Sequence, residues 1–164
     1  MINKKICMVG AFAVGKTSLV KQFVDSIFNE KYHTTIGVKI DKKVVEHSDK
    51  TTQLMIWDIE GVDAFTDLNP SYLRGASGIL LVLDGTREQS LESAKRLKKL
   101  IVAVLGNIPI LLIMNKSDLE EDWQFSLKDT DVLEISEQNT FTASAKTGQN
   151  VENVFVRISE LITE

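Results

Sequence analysis

The stretch VGAFAVGKTS, Val9 to Ser18, decides the fold. It follows the apolar run at residues 5–9 and precedes Leu19, Val20, Phe23, Val24 and Ile27, which recur at helical spacing, so it reads as a strand, a tight loop and a helix. In that context Gly10, Gly15, Lys16 and Thr17 satisfy G-x-x-x-x-G-K-[ST]. The glycines let successive N–H groups turn inward as a nest for anionic oxygens, with Ala13, Val14 and Ser18 completing the loop. The helix beginning near Lys16 adds the positive end of its dipole. Lys16 supplies a point charge for the β- and γ-phosphates, and Thr17 a hydroxyl for Mg2+. Phe12 stands in the middle of this loop, a bulky ring where backbone has to approach phosphate.

Working outward, the continuous apolar runs at residues 78–83 and 109–114 predict further strands of a parallel sheet covered on both faces. Between them Leu91, Ala94, Leu97, Leu100, Ile101, Val104 and Leu105 predict a helix, with Thr86 and Gln89 as a capping box and Gly106 as the stop. A final helix is predicted from Val151, Val154, Phe155, Ile158, Leu161 and Ile162, with Asn150 as its cap. Residues 37–46 and 51–58 flank the polar HSDK and read as an antiparallel hairpin. The predicted order is β, α, β, β, α, β, α, β, a short irregular helix, a strand near Phe141 and a last α. That is an α/β layered arrangement, with one antiparallel strand in a mostly parallel sheet and ligands bound beyond the carboxyl ends of the strands.

A chain of 164 residues with 43% hydrophobic content buries one sizeable core, so a single domain over 1–164 is expected. The net charge of -4 and pI near 5.3 argue against a general footprint for nucleic acid or anionic membrane. Cys7, the single cysteine, lies in an apolar run and reads as a buried thiol, which suits a reducing, cytoplasmic setting. No signal peptide or membrane span is readable, and the terminal SELITE has no cysteine for prenylation, so no membrane anchor is expected in this chain. With His33 and His47 beside one cysteine, neither a nucleophilic triad nor a His/Cys metal site can be assembled.

Three further motifs fall after predicted strands. DIEG gives D-x-x-G: Asp58 can hold Mg2+ through water and the Gly61 N–H can contact a terminal phosphate, although alone it reads as an ordinary turn. In NKSD, Asn115 to Asp118, the Asp118 carboxylate matches the N1–H and N2 amine of guanine, a donor pair that adenine does not present. In TASAKTG, Ser144 and Ala145 can support the base and Lys146 can lay its aliphatic stem against the ring, or the segment is a polar loop before a helix.

The four motifs, in this order and spacing, resemble the Ras superfamily of small GTPases over essentially the whole chain, and TIGV and YLRGASG look closest to its Rab branch. The resemblance implies a P-loop small G domain with a six-stranded sheet and helices on both faces. It implies GTP or GDP as ligand with Mg2+ held by Thr17, Thr35 and, through water, Asp58. Lys116 then accompanies Asn115 in the base loop. Phe28 resembles the aromatic packed against guanine, with Asn29 and Glu30 near the ribose. Tyr32 resembles the tyrosine that covers the phosphates. Thr35 resembles the switch I threonine that ligates Mg2+ only when the γ-phosphate is present. The implied partners are guanine nucleotide and effector and regulator proteins docking on the switch regions, with no nucleic acid.

The catalytic positions implied are Lys16, Thr35, Gly61 and Val62, and here the chain departs from the family. Val62 stands where a glutamine usually orients the attacking water, Phe12 and Ala13 replace two glycines beside the γ-phosphate, and Glu60 replaces a small residue. Hydrolysis is therefore expected to be slow or impaired; Asp63 and Glu60 read first as solvated charge of the switch loop, with substitution for the water-positioning group as the lesser alternative. The alternatives are a nucleotide-binding scaffold without a cycle and an ATP-using P-loop enzyme; residues 115–118 argue against the latter.

Overall fold

The computed structural model describes residues 1–29, 35–63 and 67–164. Its strands are β1 (Ile2–Gly10), β2 (Val38–His47), β3 (Lys50–Ile59), β4 (Gly78–Asp84), β5 (Ile110–Asn115) and β6 (Thr140–Thr142), joined in one sheet of order β2-β3-β1-β4-β5-β6. All neighbouring pairs are parallel except β2 with β3. That hairpin closes through Ser48 and Asp49, both at positive φ, the two-residue turn whose twist matches paired strands.

Side chains alternate across the sheet, so each apolar run feeds two cores. Ile6, Met8, Leu80 and Val82 face one side, where α1 (Lys16–Asp25) and α3 (Val151–Ile162) cover them. Phe23 of α1 and Phe155 of α3 stack there with ring centroids 3.8 Å apart. Cys7, Val9, Ile79, Leu81 and Leu83 face the other side, under α2 (Glu88–Leu105). Cys7 is fully buried, and burial pushes its thiol up to about 12.

The structure departs from the sequence reading in three local places. Among the described residues the segment between β3 and β4 carries a 3₁₀ turn, Pro70–Leu73, instead of the expected α-helix; Asn69 caps it by accepting from the Ser71 N–H at 3.0 Å. Thr86 does not cap α2: its N–H and hydroxyl both donate to Asp84 Oδ1, at 2.9 and 2.7 Å, and Arg87 is the N-cap. Asn150 is the N-cap of α3, but its side chain caps no helix N–H: Nδ2 donates to the Thr142 carbonyl at 2.8 Å and Oδ1 accepts from the Asn153 side chain at 3.0 Å. Among the described residues no helix is long and apolar enough to cross a membrane.

Candidate functional site

The carboxyl ends of β1, β3, β4 and β5 lie along one edge of the sheet, and the polar motifs follow them. A cavity of about 320 Å3 opens there, lined by Phe12, Ala13, Gly15, Lys16, Thr17, Ser18, Phe28, Asn29, Thr35, Gly61, Asn115, Lys116, Asp118, Leu119, Ala145 and Lys146. That volume falls within the range of small-molecule sites. Glu30 and Tyr32 lie outside the described residues. Val14 and Ser144 are buried behind the cavity wall rather than on it.

The loop between β1 and α1 is shaped by its neighbours. Gly15 has φ +99°, and a Cβ there would stand 2.2 Å from Asn115 Nδ2, so only glycine fits both the backbone and the space. Ala13 also adopts a left-handed conformation, φ 66°, at a cost of about 1 kcal/mol for a residue with a Cβ. Asn115 Nδ2 donates to the Val14 carbonyl at 2.9 Å, Lys116 Nζ to the Ala13 carbonyl at 3.3 Å, and Arg87 Nη1 to the Phe12 carbonyl. Lys16 Nζ reaches the carbonyls of Ala11, at 3.2 Å, and Gly10, at 3.4 Å. Burial lowers Lys16 to about 8, opposed by the charge of Asp58 and reinforced by that of Arg87. A buried cation beside oriented N–H groups at a helix start is a receptor for an anion.

At the other end Asp118 is braced by the Ser144 hydroxyl, which donates to Oδ1 at 2.7 Å. Asn115 Oδ1 accepts from the Ala145 N–H at 3.3 Å, while Gln22 Nε2 donates to the Ala145 carbonyl at 2.8 Å. The Trp123 indole donates to the Lys116 carbonyl at 3.0 Å, holding a residue whose φ is 65°. These bonds fix the Asp118 loop against the TASAKTG loop. Phe28, Leu119 and Lys146 line the cavity beside it.

The sequence model of the Ras family matches residues 5–164. The chain belongs to the Ras family. Its relatives make it a Rab-like small GTPase of the Ras superfamily. It is 36% identical to Ras-related protein Rab-1 of Theileria parva over 163 residues, covering 98% of this chain and 74% of that protein. It is 36% identical to Ras-related protein RABD2a of Arabidopsis thaliana over 165 residues, 98% of this chain and 80% of that one. GTP-binding protein ypt1 of Schizosaccharomyces pombe is 34% identical over 165 residues, with the same coverages of 98% and 80%.

Proteins of this family bind GTP and GDP, generally with Mg2+, and the residues of the Rab-like chain fit such an ion. Thr17 Oγ1 donates to Asp58 Oδ2 at 2.6 Å, and the Thr35 hydroxyl lies 2.6 Å from that of Thr17. Asp58 is fully buried, and its Oδ1 has no hydrogen-bond partner among the described residues. Burial raises the Asp58 carboxyl, while the Thr17 bond and the Lys16 charge oppose that shift. Two hydroxyls and an orphaned buried carboxylate oxygen form an all-oxygen donor set, suited to a hard cation.

The segment that follows β3 is fastened to the loop between β1 and α1. The Val62 N–H donates to the Gly10 carbonyl at 3.1 Å and the Phe12 N–H to the Val62 carbonyl at 2.8 Å, an added parallel bridge between Ala11 and Val62. A Cβ on Gly61 would stand 2.6 Å from Phe12 Cα. Val62 is only 4% exposed and packs into the core with Ile59 and Leu68, away from the cavity. Phe12 is 39% exposed and is among the residues that line the cavity. Glu60 bonds elsewhere: its N–H donates to the Gly37 carbonyl at 2.7 Å and its Oε2 accepts from the Gly37 N–H at 3.4 Å.

Sequence reasoning missed Asp84 and Arg87. Asp84 is fully buried and takes Thr86 on Oδ1 and Lys116 Nζ on Oδ2 at 2.7 Å. The available signal was a carboxylate ending the apolar run of β4, directly opposite Asn115. Gln22 and Trp123 carried no local signal, because each acts across the tertiary structure.

Proposed function

We propose that this small GTPase is a GTP/GDP-binding switch with impaired hydrolysis. Asp118, braced by Ser144, reads the guanine edge, with Phe28 and Lys146 against the ring and Asn29 beside the ribose. Lys16 and the N–H groups of residues 13–18 hold the phosphates. Thr17, Thr35 and, through water, Asp58 hold Mg2+, which when bound neutralises phosphate charge. Thr35 and Gly61 report a terminal phosphate to the switch regions, which effector and regulator proteins engage.

The observation that carries the impairment is the fastening of Val62. Its backbone is bonded on both sides to the phosphate loop and its side chain is in the core, so the position that usually orients water offers no polar group to the cavity. Glu60 is engaged with Gly37, which leaves it a poor substitute. An external arginine contributes about 10³ to 10⁵ in rate where it reaches the γ-phosphate. Phe12 lines that approach and stands in its way.

Single-turnover hydrolysis of bound GTP tests this. The expected rate is below about 10⁻⁴ per second, under the intrinsic rate of a GTPase that carries the glutamine. A faster rate that Val62→Ala leaves unchanged shows that another residue positions the water and overturns the impairment. The scaffold reading draws support from Thr35, which already lies 2.6 Å from Thr17. It predicts that the GDP and GTP forms bind partners alike.

A further inference from the structure

Three side chains hold three consecutive carbonyl groups of the loop between β1 and α1: Arg87 on Phe12, Lys116 on Ala13 and Asn115 on Val14, and of the three only Arg87 does not line the cavity. Asn115 and Lys116 belong to the base-loop motif, whereas Arg87 belongs to none. In a planar trans peptide the C=O and the following N–H point in opposite directions. Holding the Phe12 carbonyl toward Arg87, which is not a cavity-lining residue, therefore turns the Ala13 N–H toward the cavity that Phe12, Ala13 and Gly15 line.

Arg87 is placed for this by a rigid turn. Its N–H donates to the Asp84 carbonyl at 3.0 Å, and its own carbonyl accepts from the Ser90 hydroxyl at 2.7 Å and the Ser90 N–H at 3.0 Å. The same Asp84 takes Lys116 Nζ on its carboxylate. One buried residue thus sets both cations that grip neighbouring carbonyls. Asp118 and Ala145 line the cavity together with Phe12 and Gly61, so with the base at Asp118, as proposed above, a terminal phosphate would lie toward the peptide that Arg87 orients.

We propose that Arg87 is a positioning residue that favours GTP over GDP, by orienting the Phe12–Ala13 peptide toward the terminal phosphate in a loop where Phe12 and Ala13 replace the usual glycines. This rests on the nucleotide-binding role proposed above. Glycines reach the needed conformation without strain, while Ala13 at φ 66° has to be held in it. A guanidinium supplies that hold with a charge-assisted hydrogen bond.

The test is dissociation of radiolabelled GDP and of a radiolabelled non-hydrolysable GTP analogue from wild type, Arg87→Ala and Arg87→Lys, with Mg2+ and excess unlabelled nucleotide. Arg87→Ala is expected to speed release of the analogue about tenfold, the contribution of one such bond, and release of GDP less than about threefold. Arg87→Lys, which keeps a cationic donor, recovers at least half of that change on a logarithmic scale. Equal acceleration of both nucleotides, accompanied or not by a lower melting temperature of the GDP form, makes Arg87 a general support and overturns the proposal. So does an unchanged release of the analogue. Wild type that retains neither nucleotide removes the binding role itself, whereas wild type that retains both beside an unaffected Arg87→Ala removes only the role of Arg87.

Discussion

Placing glutamine at position 62 is the most demanding test of the proposed impairment, because the family pattern alone predicts faster hydrolysis and the structure predicts none. Val62 is 4% exposed, packed with Ile59 and Leu68, and held by bonds of 3.1 and 2.8 Å to Gly10 and Phe12. Those bonds set the direction of the side chain, so a glutamine there starts in the core rather than over the phosphates. Its amide then lies in apolar surroundings or turns outward among Asp67, Ser93 and Arg96, which line the neighbouring surface cavity on the side of α2. A buried, unsatisfied amide costs about 1–3 kcal/mol. At about 2 kcal/mol, Val62→Gln lowers the melting temperature by roughly 4–8 °C in a domain of this size, while single-turnover hydrolysis stays within about threefold of wild type. The assay is a thermal melt of the GDP form beside a γ-phosphate release course. A tenfold or greater acceleration at an unchanged melting temperature refutes the reasoning, since it requires the bridge between Ala11 and Val62 to open when GTP binds.

Two further outcomes follow from close packing and burial. Gly15→Ala places a Cβ 2.2 Å from Asn115 Nδ2 at φ +99°, displacing the side chain that joins Val14 to Ala145; guanine nucleotide affinity, followed by calorimetry, is expected to fall at least about 100-fold through strain and lost bonds of roughly 3 kcal/mol. Cys7 has its thiol pushed up to about 12 from an ordinary value of 9.0, so between those pH values the unfolded thiol ionises while the folded one stays protonated. Its contribution is complete below pH 9 and is lost as pH rises toward 12, at about 1.4 kcal/mol per unit. The stability difference between wild type and Cys7→Ala in urea should therefore shift by that amount, against wild type, between pH 9.5 and 10.5.

The sheet and the cavity were legible because their signals are local. Apolar runs such as Ile79–Leu83 mark buried strands wherever they pair, and the spacing from Gly10 to Thr17 encodes a loop that the backbone alone can close. Capping was misread where a tertiary partner competes for the same side chain. Thr86 has the composition of a helix cap, but the Asp84 carboxylate accepts both its N–H and its hydroxyl. Asn150 likewise turns to Thr142. Among the described residues the expected helix after β3 is one turn that Asn69 caps and Pro70 opens, and Gly75 at φ 79° ends it before β4. Val62 could be named as a departure from the family pattern, but its burial depends on a bridge to a strand far away in sequence. Arg87 was invisible for the same reason, lying 75 residues from the carbonyl it holds.

Phe12 is where these non-local contacts meet, and they explain how the loop accepts a ring in place of glycine. Its N–H is taken by Val62 and its carbonyl by Arg87, so both polar groups of one residue are fixed from opposite sides by elements outside the phosphate loop. The backbone path is thereby set without the freedom that glycine provides, at a residue that is 39% exposed and lines the cavity. The Val62 bonds couple the loop to the segment after β3, and the Arg87 bond couples it to the turn at Asp84, which also holds Lys116. On the proposed reading, nucleotide holding and water positioning rest on different contacts, so a loss of water positioning at Val62 would leave intact the bonds that Asn115, Lys116 and Arg87 make to the loop between β1 and α1.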